Sequence, residues 1–209
     1  MRLPASVTNL ELFRVWRQRE DLSHDWLLNR IRGLEPPSES MLAGRAFHEA
    51  LEGAGGDRIS TFARGPYRFD FSCDAVIPAT PLRELPVEKM YGELLVRGRV
   101  DSWVGGEILD YKTTKKFDAD RLMEGYQWRY YLDMTGCDSF CWKVFVMREL
   151  GEPQSYEIYQ SHTLYQKRYP SLHEDCERLA REYLETLGPY LEKFGPQPVV
   201  QTAERMEAF

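Results

Sequence analysis

Asp101, Asp110 and Lys112 are the residues of this 209-residue chain whose types and spacing best suit chemistry. They lie in the stretch from Arg97 to Thr114. Leu94, Val96 and Val100 mark a β-rich run, Gly105-Gly106 signals a two-residue hairpin, and Glu107 to Thr113 resumes as a second strand. Antiparallel pairing across that hairpin would bring Asp101 and Asp110 near each other. Lys112, two residues past Asp110, points to the same face of its strand. Carboxylate oxygens are hard ligands of the kind Mg2+ or Mn2+ prefers. A lysine beside them can orient a water or neutralise a phosphate in a transition state. Taken alone, an Asp-x-Lys is equally what an ordinary polar strand end offers.

The elements that must position this trio follow from the residue pattern. Ser6 or Thr8 can cap a helix from Asn9 to about Arg19, and a second helix runs from Ser23 to Arg32, where Gly33 stops it. Leu34 to Ser38 is a linker by composition. A third helix starts near Ser38 or Ser40 and runs to about Glu52, with Leu42, Ala43, Ala46, Phe47, Ala50 and Leu51 at helical spacing. Tyr67 to Ile77 alternates as a strand, Pro78 to Pro86 reads as a loop, and Val87 begins the next strand. Gly92 turns the chain before Glu93 to Val104. A helix is expected from Asp118 to Thr135, closed by Gly136.

Ser139 to Arg148 is apolar on both faces, as a central strand should be, and Ser155 to Gln160 returns beside it. Ser171 to Glu174 is a capping box opening a helix to Leu187, which Gly188-Pro189 should break or kink. The fold class is therefore α/β, or α+β by stricter usage: a central mixed sheet flanked by helices. Residues 1–209 read as one domain, with helices in 1–35 and 171–195 added to the core.

Composition narrows the function. The chain is 43% hydrophobic and 13% aromatic, enough for a substantial core. A net charge of -6 argues against a generally basic nucleic-acid coat, so any contact with a phosphate backbone must use local patches such as Lys115-Lys116. A solvated loop would carry the same two lysines. No apolar run reaches the length of a membrane span, and the first residues lack the apolar core of a signal peptide, so a cytoplasmic protein without a membrane partner is expected. Cys73, Cys137, Cys141 and Cys176 are then expected as free thiols.

Four motifs in order resemble the PD-(D/E)XK nucleases, in particular their RecB-type exonuclease branch. They are Gly44-Arg-Ala-Phe47-His48, Gly98-Arg-Val-Asp101, Asp110-Tyr-Lys-Thr113 and Gln127-Trp-Arg-Tyr-Tyr131. Each is weak alone; their order across Gly44 to Tyr131 makes the set specific. The resemblance implies a restriction-endonuclease-like fold and metal-dependent hydrolysis of DNA, as an exonuclease in recombination, repair or phage DNA processing. Asp101 and Asp110 would hold Mg2+ or Mn2+, with the Tyr111 carbonyl and His48 completing the ligand set.

An imidazole ligand at His48 would tilt the preference towards Mn2+. A histidine beside an apolar helix stripe is otherwise structural. Gln127 and Tyr131, four apart on one helix face, would hold DNA, with Arg45, Lys115 and Lys116 as further backbone contacts. Trp128 and Arg129 are weaker candidates of the same kind. Glu88 is a secondary acidic candidate, equally well explained by a surface pair with Lys89 or Arg99. Some members hold an iron–sulfur cluster on four cysteines; here no compact C-x-x-C accompanies Cys137 and Cys141, and no cluster is expected. A helicase or recombinase partner follows by family analogy alone. A structure- or sequence-specific endonuclease, a non-catalytic DNA-end-binding module and an unrelated α/β binding protein are the competing readings. Strand polarity, strandedness and oligomeric state are not encoded in any motif.

Overall fold

A computed structural model describes residues 3–53, 60–75, 77 and 82–194. The chain runs β1 (Leu3–Ser6), α1 (Val7–Arg17), α2 (His24–Ile31), α3 (Glu39–Gly53), β2 (Thr61–Arg64), β3 (Tyr67–Phe71), β4 (Leu82–Tyr91), β5 (Leu94–Val104) and β6 (Glu107–Thr114). It continues through α4 (Ala119–Glu124), α5 (Gln127–Thr135), β7 (Ser139–Glu149), β8 (Ser155–Lys167) and α6 (Leu172–Phe194). The strands form one 8-stranded mixed sheet in the order β1-β5-β6-β7-β8-β3-β2, with β4 also paired to β5. This is the mixed sheet flanked by helices that the residue pattern implies.

Local chemistry accounts for most element ends. The Ser6 hydroxyl accepts from the Asn9 N–H at 3.0 Å and the Ser23 hydroxyl from the Trp26 N–H at 3.1 Å, each meeting an orphan donor of a first turn. Gly105 and Gly106 both have positive φ, +56° and +87°, as a tight turn between right-twisted strands needs. Strand β7 feeds both faces of the sheet. Phe140, Trp142 and Val144 join a core with α1, α2, α5 and α6, while Phe145 and Met147 join a second core with α3, β3 and β8. In that second core Phe47 meets Phe62, Phe69 and Phe145 with ring centroids 5.0 to 5.2 Å apart, fixing α3 on the sheet. Truncating such a ring to alanine costs about 3–5 kcal/mol.

Five expectations need correction. Residues 82–86, expected as loop, are strand, because β4 pairs with β5 along its length, including Pro86 opposite Arg99. Among the described residues β4 has no second partner, and an edge strand tolerates proline. The helix expected from Asp118 to Thr135 is two helices, α4 and α5, parted at Gly125-Tyr126. Strand β3 ends at Phe71, and β8 runs on to Lys167 because β7 pairs with it throughout. Helix α6 continues through Pro189, held by buried Leu187 and Leu191 on either side. Strands β1 and β2 are too short to stand out by pattern. Of the expected strand to Ile77 and the loop after it, residues 76 and 78–81 lie outside the described residues.

Candidate active site

The site lies where the sheet splits. One edge of β5 is shared: Leu94–Arg97 pair with β1 and Ser102–Val104 pair with β6. Gly98 to Asp101 lie between those two pairings, so β5 and β6 diverge just beyond the hairpin. Asp101 closes the fork: its Oδ2 accepts the Tyr111 backbone N–H at 2.9 Å, in place of a ladder carbonyl. Asp110 is 2% exposed. The Lys112 Nζ donates to Asp110 Oδ1 at 3.2 Å and to Gln127 Oε1 at 2.8 Å. The same ammonium also forms an ion pair with Asp110 Oδ2 at 3.0 Å. The structure thus brings Asp101, Asp110, Lys112 and Gln127 together at one gap in the sheet.

Both carboxyls are displaced above their usual range by their surroundings. Burial, then repulsion from Asp110, pushes the Asp101 carboxyl well above its usual range, with the Lys112 charge acting the other way. Burial likewise raises Asp110, and Lys112 offsets part of the effect. Two acids sharing one cation in a desolvated cleft is an arrangement that further positive charge would relieve.

Tyr131 has a different place from Gln127. It is 5% exposed and stacks on Phe140, with ring planes 10° apart. A Cβ on Gly98 would stand 2.5 Å from Tyr131 Cε1 and 3.0 Å from Val7 Cγ2. The missing side chain of Gly98 is therefore a notch into which α5 docks. Burial and the nearby Asp101 and Asp110 charges raise the Tyr131 hydroxyl above the usual phenol range.

His48 sits on α3, 6% exposed, with its ring 6.3 Å from that of Tyr111. Its Nε2 is buried and has no hydrogen-bond partner among the described residues. Gly44, one turn earlier, permits the close approach: a Cβ there would be 3.2 Å from Thr113 Oγ1. Tyr111 and Thr113 alternate with Asp110 and Lys112 along β6, so α3 lies on the other side of that strand from α5. Among the described residues no group of three or more His, Cys, Asp or Glu side chains is gathered at metal-binding spacing. His48 is accordingly near the site's strand without standing beside the two carboxylates.

The remaining candidates are more dispersed. Glu88 pairs with Arg97 at 3.1 Å on the surface, its side chain 60% exposed. Glu84, four residues earlier and half-buried, is the acid that raises Asp101 further, and its backbone has φ +51°, unusual outside glycine. Pattern alone points to Glu88 because nothing in the residue order marks where β4 faces the fork. Lys115 pairs with Glu149 at 3.0 Å, and Lys116 is exposed in the turn held by the Thr114 hydroxyl. Arg45 is half-buried on α3. Trp128 is buried in the core, and Arg129 ties α4 to α5 through the Glu124 carbonyl at 2.8 Å and the Gly125 carbonyl.

No family model matches the chain, and no curated protein matches its sequence. Among solved structures the chain is similar to SSO0001, with a TM-score of 0.49 and 13% identity over 89% of this chain and 77% of that one. It is similar to a provisionally named exonuclease from Eubacterium rectale, with a TM-score of 0.49 and 11% identity over 90% of this chain and 80% of that one. It is also similar to a phage-related exonuclease from Haemophilus somnus, with a TM-score of 0.38 and 17% identity over 54% of this chain and 63% of that one.

Proposed function

We propose that the chain is a metal-dependent deoxyribonuclease, acting as an exonuclease. The observation that carries the reading is the convergence of Asp101, Asp110 and Lys112 at the fork between β5 and β6, with both carboxyls held above their usual range. That donor set suits a hard divalent cation such as Mg2+ or Mn2+. Asp101 and Asp110 would hold it, with the Tyr111 carbonyl as a further ligand in this proposal; His48, across β6 from the carboxylates, is left out of the ligand set. When bound, the cation would supply Lewis acidity toward the scissile phosphate.

The chain's own residues do the rest. The Lys112 ammonium, fixed between Asp110 and Gln127, can hold the attacking water by a donated hydrogen bond or stabilise charge on the phosphoryl oxygens. Gln127 removes one rotational freedom from Lys112, so the ammonium is pre-aimed at the gap. Arg45, Lys115 and Lys116 are the proposed backbone contacts. DNA as substrate, attack from an end and a helicase or recombinase partner rest on the four ordered motifs.

The test pairs linear with covalently closed circular DNA, each end-labelled and internally labelled, with Mg2+ or Mn2+, beside EDTA and Lys112→Ala. Loss of linear DNA alone, needing metal and Lys112, is the expected result. Cutting of the circle would make the enzyme an endonuclease, and binding without cleavage would make the chain an end-binding module. Undiminished cleavage by pure Lys112→Ala would remove Lys112 from the mechanism.

A further inference from the structure

Helix α5 begins without the usual help. Its N-cap residue, Tyr126, makes no side-chain capping hydrogen bond. Instead the Tyr126 backbone N–H donates to Glu11 Oε2 at 2.6 Å, from a residue 115 positions away on α1. A carboxylate accepting at a helix N-terminus satisfies an orphan donor and meets the positive end of the helix dipole. Glu11 Oε1 is held in turn by Arg14, through Nε at 2.9 Å and a terminal nitrogen at 2.6 Å. Both side chains are largely buried, so the carboxylate has little freedom to leave. The break between α4 and α5 admits it. A Cβ on Gly125 would stand 3.5 Å from Glu11 Oε1 and 3.2 Å from the Leu122 carbonyl oxygen.

The residue immediately after this anchor is Gln127, whose Oε1 accepts from Lys112 at 2.8 Å. One turn later Tyr131 enters the notch at Gly98. The first turn of α5 is therefore pinned at Tyr126 and at Tyr131, with Gln127 between. We infer that Glu11 is a positioning residue for Lys112, acting through the N-terminus of α5 and Gln127. The inference rests on the nuclease reading for its kinetic consequence and on geometry alone for its structural one.

The test is a double-mutant cycle on the full chain. It measures kcat and KM for DNA hydrolysis in wild type, Glu11→Ala, Gln127→Ala and the double variant, with Tm for each. Glu11→Ala should lower kcat about 10-fold with KM nearly unchanged. The double variant should be no slower than Gln127→Ala alone, because the two residues act in series. Glu11→Gln should recover most of kcat, since its amide oxygen can accept the same N–H. Additive losses, or a wild-type kcat in Glu11→Ala, would overturn the inference, since a merely stabilising residue would lower Tm without coupling to Gln127. A second readout needs no activity: the 13C signal of the Lys112 ε-carbon, assigned by Lys112→Arg. It should move in Glu11→Ala and in Gln127→Ala alike, and an unmoved signal in Glu11→Ala would refute the link. If wild type fails to cleave DNA, the nuclease reading falls, and this signal still decides the positioning role.

Discussion

Two buried aspartates in this protein live under opposite conditions. Asp133 on α5 has a saturated carboxylate. Its Oδ2 accepts from Tyr91 Oη at 2.7 Å and Lys89 Nζ at 3.0 Å, and lies 3.0 Å from His173 Nδ1; Arg168 stands 3.9 Å from Oδ1. Burial alone would raise its carboxyl, but the bonds from His173, Tyr91 and Lys89 outweigh it and hold the group below the usual range. Asp110 accepts a side-chain hydrogen bond from Lys112, shares that cation's field with Asp101, and is pushed the other way. The surroundings of Asp133 stabilise its charge and those of Asp110 leave it wanting. A saturated buried acid locks α5 to β4 and α6. An unsaturated one, at a gap in the sheet, is a binding site for positive charge.

The largest expected effect separates the two in function. Asp110→Asn or Lys112→Ala should reduce DNA hydrolysis by on the order of 10³-fold with the circular dichroism of wild type, and Lys112→Ala, which leaves two buried carboxylates without their shared cation, should also lower Tm. Asp110→Asn also removes a poorly compensated buried charge, so its Tm should be equal to or above that of wild type. Asp133→Asn should do the reverse, keeping activity per folded molecule. A large Tm loss in Asp110→Asn would erase the contrast. The next effect is stabilisation by metal. Divalent cation at 100-fold above its Kd should raise wild-type stability by about 2.7 kcal/mol. Thermal unfolding with Mg2+ or Mn2+ titrated in should show that rise for wild type and Asp133→Asn and not for Asp110→Asn.

The contrast between the two acids also shows what residue order reveals. The trio at the fork is readable because the Gly105-Gly106 turn sets the register of β5 on β6, and an Asp-x-Lys alternation then puts both side chains on one face. What keeps the site open is not readable. It depends on β1, four residues long, taking the lower half of the β5 edge in parallel, a long-range pairing without a local signature. The α4–α5 break is hidden because the apolar spacing continues across it, and the Glu11 carboxylate that accepts from the Tyr126 N–H there is distant in sequence. Glu84 was hidden by its positive φ, which no pattern of residue types encodes. Gln127 was readable as a site residue, but its bond to Lys112 depends on where α5 docks, and that is set by the notch at Gly98.

A third effect is in stability alone. Asp133→Asn should cost about 2 kcal/mol by urea unfolding, less than the largest values for buried pairs because Lys89 and His173 are partly exposed and can rehydrate. Gly98→Ala sharpens the comparison from the other side. The added methyl meets Tyr131 at 2.5 Å, so overpacking should cost about 1–3 kcal/mol and shift α5 off the fork. Activity should fall with it, whereas Asp133→Asn loses the same stability with activity intact.

The smallest effect is the shape of stability against pH, measured in EDTA. An unfolded aspartate titrates near ~3.9. Asp133 has a depressed folded pKa, so its contribution is present above that value and is lost as pH falls through the lower folded one. Asp101 and Asp110 have raised folded values, so the native state binds protons more readily than the unfolded chain between ~3.9 and those values. Across that window stability should increase as pH falls. Wild-type stability should therefore pass through a maximum near pH ~4, with the alkaline limb drawn by the fork and the acid limb by Asp133 together with the more exposed Asp21, Glu157 and Asp175. Asp110→Asn should flatten the alkaline limb and leave the acid one. Asp133→Asn should soften the acid limb alone. An alkaline limb that persists unchanged in Asp110→Asn would mean that its carboxylate is neutralised in the native state by a charge other than Lys112.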